Sequence, residues 1–260
     1  MPDRIVLDHV AHAADSHDLL LPRYAGDLGA RYRGHGEGFG FSPMQIGFAN
    51  GATLELLRPH QEDRNPFLRR FLDKRGPGLH HATFKVPDIR ATMATLDAAG
   101  FPLVDVNLEW EDWQEAFVHP KAAFGFLVQI AQATSHMPAA SPPGYPDAAR
   151  RAALVRLALA VASIDAGLVL YRDLLSGRVV DEGDAGDGRW VDIDHDGKQV
   201  VRLWQPDDAS VLGEAAGRAD HLAFRVDDPS VIAGAERTSD GGWHVPAAAN
   251  HGARLVLQGD

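Results

Sequence analysis

The chain contains no cysteine, which excludes disulfides, thiolate metal ligands and a cysteine nucleophile. Basic residues are in short supply as well. With 25 Lys and Arg against 36 Asp and Glu, the net charge is −11, the wrong sign for gripping phosphates and an argument against a nucleic-acid partner. No apolar run reaches the roughly 18 residues that a membrane helix needs. Met1-Pro2-Asp3-Arg4 passes into strand-like sequence without the apolar core of a signal peptide. These absences lead to the expectation of a soluble, cytoplasmic protein, and the missing thiols accord with a reducing compartment. At 260 residues and 45% hydrophobic composition, the chain has material for two ordinary cores.

What is present is a phrase written three times. Residues 79–88 read Leu-His-His-Ala-Thr-Phe-Lys-Val-Pro-Asp, and residues 219–228 read Ala-Asp-His-Leu-Ala-Phe-Arg-Val-Asp-Asp. Residues 7–13 give a looser copy, Leu-Asp-His-Val-Ala-His-Ala. Each is a histidine opening an apolar, strand-like run, followed by a helix-like segment, and such repetition dictates architecture. It makes His9, His81 and His221 equivalent. His80 then points away from His81, either to solvent or behind the ligands.

The stretch 133–150 is rich in proline and alanine (Pro138, Pro142, Pro143 and Pro146 around Gly144) and reads as a linker. It leaves residues 1–132 and 151–260 as two domains. In the first, strands are expected at 4–14, 30–33, 43–49 and 52–57, with a helix at 15–29 capped by Asp15 or Ser16. The second copy predicts a strand at 79–86, a helix at 88–99 between Asp88 and Gly100, and strands near 103–107, 114–118 and 125–131. The C-terminal part repeats the pattern, with strands near 154–161, 189–194, 199–204, 219–226 and 253–258. Each unit is β-α-β-β-β, so the fold class is α+β with four βαβββ modules.

Spacing turns the repeat into a site. From His9 to Glu55 is 55 − 9 = 46 positions, and from His81 to Gln129 is 129 − 81 = 48. Each pair joins a first-strand histidine to a polar residue in an otherwise apolar last strand. A carboxylate among leucines is costly to bury without a cation or donor. A pseudo-two-fold would converge His9, Glu55, His81 and Gln129 on one point as metal ligands.

These residues resemble the vicinal oxygen chelate superfamily, which includes glyoxalase I, methylmalonyl-CoA epimerase and extradiol dioxygenases. The resemblance rests on Leu-Asp-His-Val-Ala, Thr-Leu-Glu-Leu-Leu-Arg-Pro, Gly-Leu-His-His-Ala-Thr-Phe-Lys-Val and His-Pro-Lys-Ala-Ala-Phe-Gly-Phe-Leu-Val-Gln-Ile-Ala-Gln, and spans residues 4–132. It implies two tandem glyoxalase/bleomycin resistance/dioxygenase-like domains, with the family's ligand positions on His9, Glu55, His81 and Gln129. The epimerase pattern carries glutamate where this chain has Gln129, and an amide can coordinate through oxygen but cannot carry a proton near neutral pH. In the C-terminal half Arg156 matches His9 and Arg202 matches Glu55. Residues 151–260 are therefore expected to be a degenerate, metal-free domain.

Two imidazoles, a carboxylate and an amide oxygen suit one divalent ion, Zn, Co, Ni, Mn or Fe. The resemblance implies a metal-dependent isomerase, epimerase or lyase that stabilises an enolate of a small oxygen-rich or thioester substrate. An extradiol-type ring-cleavage dioxygenase and a metal-free drug-binding protein are the alternatives. Glu37 is the candidate base, with Glu115 second. Trp113 and Phe117, with Trp110, Phe39 and Phe41 near them, are candidates for an apolar substrate wall. Arg70, in the basic cluster 64–75, is a candidate for a substrate anion. The partners expected are a small-molecule substrate and, at most, a second copy in a homodimer, with neither nucleic acid nor membrane.

Overall fold

The computed structural model describes residues 2–134, 140–146, 148–149, 151–212 and 216–259. The first module runs through β1 (Val6–Ala13), α1 (His17–Leu21), a π-helical turn (Pro22–Asp27), β2 (Arg31–His35), β3 (Gly40–Gly47) and β4 (Thr53–His60). Helix α2 (Phe67–Arg75) leads to the second module, β5 (Gly78–Lys85), α3 (Ile89–Ala98), β6 (Leu103–Asn107), β7 (Trp113–Val118) and β8 (Leu127–Ala133). The third comprises β9 (Ala153–Val161), α4 (Ile164–Leu168), another π-helical turn (Val169–Leu174), β10 (Arg178–Asp184), β11 (Gly188–Asp194) and β12 (Val200–Pro206). The fourth comprises β13 (Gly217–Val226), β14 (Glu236–Arg237), β15 (Trp243–Val245) and β16 (Arg254–Gly259). Modules one and two form an eight-stranded sheet ordered β2-β3-β4-β1-β5-β8-β7-β6, and modules three and four form β10-β11-β12-β9-β13-β16-β15-β14. The α+β, four-module reading holds.

Local chemistry explains the elements and their departures from expectation. Ser16 caps α1 by accepting from the Asp18 amide, and Asp88 caps α3 by accepting from Ala91. The expected 15–29 helix changes to π geometry at Pro22, whose missing N–H interrupts α bonding. Proline is not the whole cause, because the third-module π turn has none. The two turns share a fully buried tyrosine, Tyr24 and Tyr171. The helix-like segment expected after the third phrase is only a three-residue 3₁₀ turn, Pro229–Val231. Gly234, at φ +67°, follows too soon for a longer helix.

Register makes the repeat equivalence concrete. In each module the first and last strands are parallel, and Ala11 pairs with Glu55, Thr83 with Gln129, Ala158 with Arg202 and Ala223 with Val256. Each last-strand residue therefore faces the position two beyond His9, His81, Arg156 or His221. Strand alternation puts both members of a pair on one face. The match of Arg156 and Arg202 to His9 and Glu55 is thus a register identity.

Backbone packing groups the chain into two compact units, one of residues 1–8, 81–136 and 156–220, the other of residues 9–80, 137–155 and 221–260. In the first, Phe84 of β5 packs against Tyr171 (centroids 6.2 Å) and His195 (4.9 Å). In the second, the equivalent Phe224 of β13 packs against Tyr24 (6.3 Å) and Phe48 (5.0 Å). A directed hydrogen-bond chain runs through this second core. Asn250 donates to the Tyr24 hydroxyl, which donates to His12 Nδ1, while His12 Nε2 donates to the His251 carbonyl. Burial pushes the His12 imidazole down to about 4, so it stays neutral as this chain requires. Within the linker, Pro138 lies outside the described residues. Tyr145 is anchored to the second unit, donating to the Ala30 carbonyl at 2.8 Å and meeting the Tyr32 ring edge-on.

Candidate metal centre

His9 on β1 and Glu55 on β4 share a face with Ala11, Ala13 and Leu57. Helix α2 covers the far end of that face, where Leu68, Leu72, Phe67 and Phe71 pack on Ala11, Ala13, Leu57 and Phe41. The floor is dry there, so the chemistry is confined to the end where the polar groups sit. His9 Nε2 lies 3.5 Å from Glu55 Oε2, and the Gln45 amide of β3 donates to Glu55 Oε1 at 3.4 Å. One ligand atom from each of His9, Glu55 and His81 lies within 4.8 Å of the others, and all three residues are buried. A buried carboxylate flanked by two imidazoles is a donor set that fits a divalent cation.

Gln129 is engaged from both ends of its amide. The Thr83 hydroxyl donates to its oxygen, and its nitrogen donates to Glu115 Oε2 at 2.6 Å. Because a carboxylate only accepts, this network sets which end of the amide is oxygen. Glu115 Oε2 also accepts from the Trp113 indole at 2.7 Å. Phe117, opposite Gln129 in the β7–β8 ladder, meets the His81 ring edge-on at 6.1 Å. Trp113, Glu115 and Phe117 thus line the face that carries His81 and Gln129.

The other proposed residues lie elsewhere. Glu37 sits in the exposed β2–β3 loop, 3.7 Å from the His60 ring. Arg70 is exposed on α2, while its neighbour Arg69 is bound by Asp15 and Glu62. Trp110 is exposed, and Phe39 lies beneath the Arg64 guanidinium. Phe41 shares the face of Glu55 but is packed edge-on against Phe67. Of the two places open to His80, solvent or behind the ligands, it does not take the exposed one. It is buried against Phe67 and Phe71, and burial pushes it down to about 4. Alternation turns His80 away from His81, but α2 supplies a roof that alternation cannot foresee. Gln45 and Thr83 were missed, although Gln45 carries the signal that exposed Glu55, a polar residue inside an apolar strand.

The family model of the Glyoxalase/Bleomycin resistance protein/Dioxygenase superfamily matches residues 8–117. That match covers 110 of the 260 residues, all of them in the first two modules. No curated protein sequence matches it. Among solved structures, a mutant of 4-hydroxymandelate synthase from Streptomyces coelicolor shares the fold over 95% of this chain and 78% of its own, at 16% identity and TM-score 0.64. Methylmalonyl-CoA epimerase from Mycobacterium tuberculosis matches 52% of this chain and 93% of its own, at 26% identity and TM-score 0.45. The hypothetical protein BH1468 from Bacillus halodurans matches 52% and 99%, at 25% and 0.46. Superfamily enzymes typically hold a divalent metal, and the buried His9, Glu55 and His81 group could hold one here. Among the described residues, no helix is long and apolar enough to cross a membrane.

Proposed function

We propose that the chain is a metal-dependent isomerase, epimerase or lyase, with His9, Glu55, His81 and the Gln129 amide oxygen holding one divalent ion. The convergence of two buried imidazoles and a buried carboxylate carries this reading. When bound, the metal supplies Lewis acidity toward substrate oxygens. The chain's own contribution is positioning and proton transfer. Phe117 and Trp113 form the apolar wall beside His81. Glu115, held by Trp113 and Gln129, is the carboxylate placed to move a substrate proton, whereas Glu37 stands in solvent. One base returning a proton on one face favours isomerisation over inversion.

The expected stoichiometry is one metal per chain, lost in His9→Ala, Glu55→Gln and His81→Ala and kept in His80→Ala, as read by elemental analysis of folded protein. Incubation in D₂O with 2-oxo acids, hemithioacetals and acyl-CoA thioesters should give metal-dependent deuterium uptake. That uptake should vanish in Glu115→Gln, with metal retained, and survive in Glu37→Gln. A second reading, the ring-cleavage dioxygenase, is favoured by the composition of the triad, since two histidines and one carboxylate are also the ligand set of non-haem Fe(II) oxygenases. Oxygen consumption with catechols, without deuterium exchange, would decide for it.

A further inference from the structure

In the third module the ligand quadrant has reversed its charge. Register maps His9 onto Arg156 and Glu55 onto Arg202, and it maps Gln45, opposite Glu55, onto Asp192, opposite Arg202. A corner built of metal acceptors has become one built of donors. Arg202 Nε and Nη2 donate to the two Asp192 oxygens at 2.6 and 2.7 Å, and its guanidinium stacks on Trp190 at 3.7 Å. Arg202 is thereby locked in place, with its Nη1 donors not used by Asp192. Arg156 is different. Its Nε is buried without a hydrogen-bond partner among the described residues. Burial and the neighbouring Arg202 both push its guanidinium below its ordinary value. Two guanidiniums and one carboxylate leave one positive charge of this corner uncompensated. Holding such a charge is costly for a fold that needs nothing from it, because an apolar side chain would pack there at no electrostatic cost.

We propose that this corner of the third module is a binding site for a small organic carboxylate, gripped by Arg156 and the free edge of Arg202. Trp190 and Trp204, half-buried and on the same strand faces as Asp192 and Arg202, suit a planar body attached to that carboxylate. The ligand neutralises the charge that the chain leaves open. The chain would then hold a cation in its first module pair and an anion on its third module, two sites with unrelated ligands.

Calorimetric titration of the full-length, chelator-treated protein with benzoate tests this, because chelation removes metal-held carboxylate as a competing explanation. One saturable site is expected, with neutral benzamide failing to bind. Arg156→Gln should weaken benzoate at least about tenfold, the cost of one charge-assisted hydrogen bond. The same variant should unfold at a temperature equal to or above that of the parent, since an uncompensated buried charge is removed. Arg156→Lys, which keeps charge but loses the planar fork, should fall between. Absence of saturable benzoate binding up to about 10 mM would overturn the proposal, as would equal affinity in Arg156→Gln or equal binding of benzamide. The benzamide comparison needs no variant, so it decides even where Arg156→Gln does not fold.

Discussion

At the scale of single residues, Tyr24 and Tyr171 form an internal control. Both are fully buried in equivalent π turns, against Phe224 and Phe84 respectively. Burial pushes both phenols well above their ordinary value. Tyr24 stands in the chain from Asn250 to His12, whereas the Tyr171 hydroxyl has no partner among the described residues. Tyr24→Phe strands His12 Nδ1 and the Asn250 amide and should cost about 1–3 kcal/mol. Tyr171→Phe removes an unsatisfied group and should be neutral or stabilising by up to about 1 kcal/mol. Denaturant unfolding of both variants measures the contrast, and equal losses would show that the hydrogen-bond chain through Tyr24 adds nothing to stability.

At the scale of elements, the strands that open and close each module were legible, and some edge strands were not. β1, β5, β9 and β13 carry repeated phrases whose histidine or arginine keeps register with the last strand, so the convergence of His9, Glu55 and His81 was foreshadowed by the repeat and its spacing. The edge strand β10, Arg-Val-Val-Asp-Glu-Gly-Asp, is largely exposed and charged, and β14 is two residues long. Neither buries enough to leave a pattern. The basic cluster 64–75 reads as a solvated helix face, and helix α2 does form there behind Pro66, which makes no side-chain capping bond, but its Leu68 and Leu72 are buried. The apolar side of that helix is what decides between the two places open to His80, covering it with Phe67 and Phe71. Junctions between elements were equally silent. A Cβ on Gly125, at φ +78°, would lie 1.7 Å from the Gly217 carbonyl oxygen, and one on Gly252, at φ +82°, would lie 1.8 Å from that of Pro77. Each contact joins the start of β8 or β16 to the chain entering β13 or β5, inside one compact unit. Gly125→Ala must relieve a clash with backbone as well as the roughly 1–2 kcal/mol of a left-handed non-glycine residue. A loss above about 3 kcal/mol is expected by chemical denaturation, and a loss below about 1 kcal/mol would mean that the loop simply shifts.

At the scale of the whole molecule, the linker and the compact units divide the chain differently. The linker separates modules one and two from three and four, yet one unit joins modules two and three and the other joins one and four. The apolar contacts follow the units. Phe84 needs Tyr171 and His195, and Phe224 needs Tyr24 and Phe48. Each aromatic ring of this kind buries on the order of 150–250 Å². A fragment ending before the linker would expose half of both cores at once, a patch large enough to drive association. The proposal of a metal-binding domain at 1–132 and a metal-free one at 151–260 therefore concerns where ligands bind, and it does not require either stretch to stand alone. Placing a protease site among residues 140–144 and cleaving the folded protein tests this. The two fragments should stay together through size-exclusion chromatography and keep the metal, because the severed peptide carries none of the packing. Fragments expressed singly should self-associate or precipitate. Separation into two folded monomers after cleavage would show that the packing across modules is dispensable.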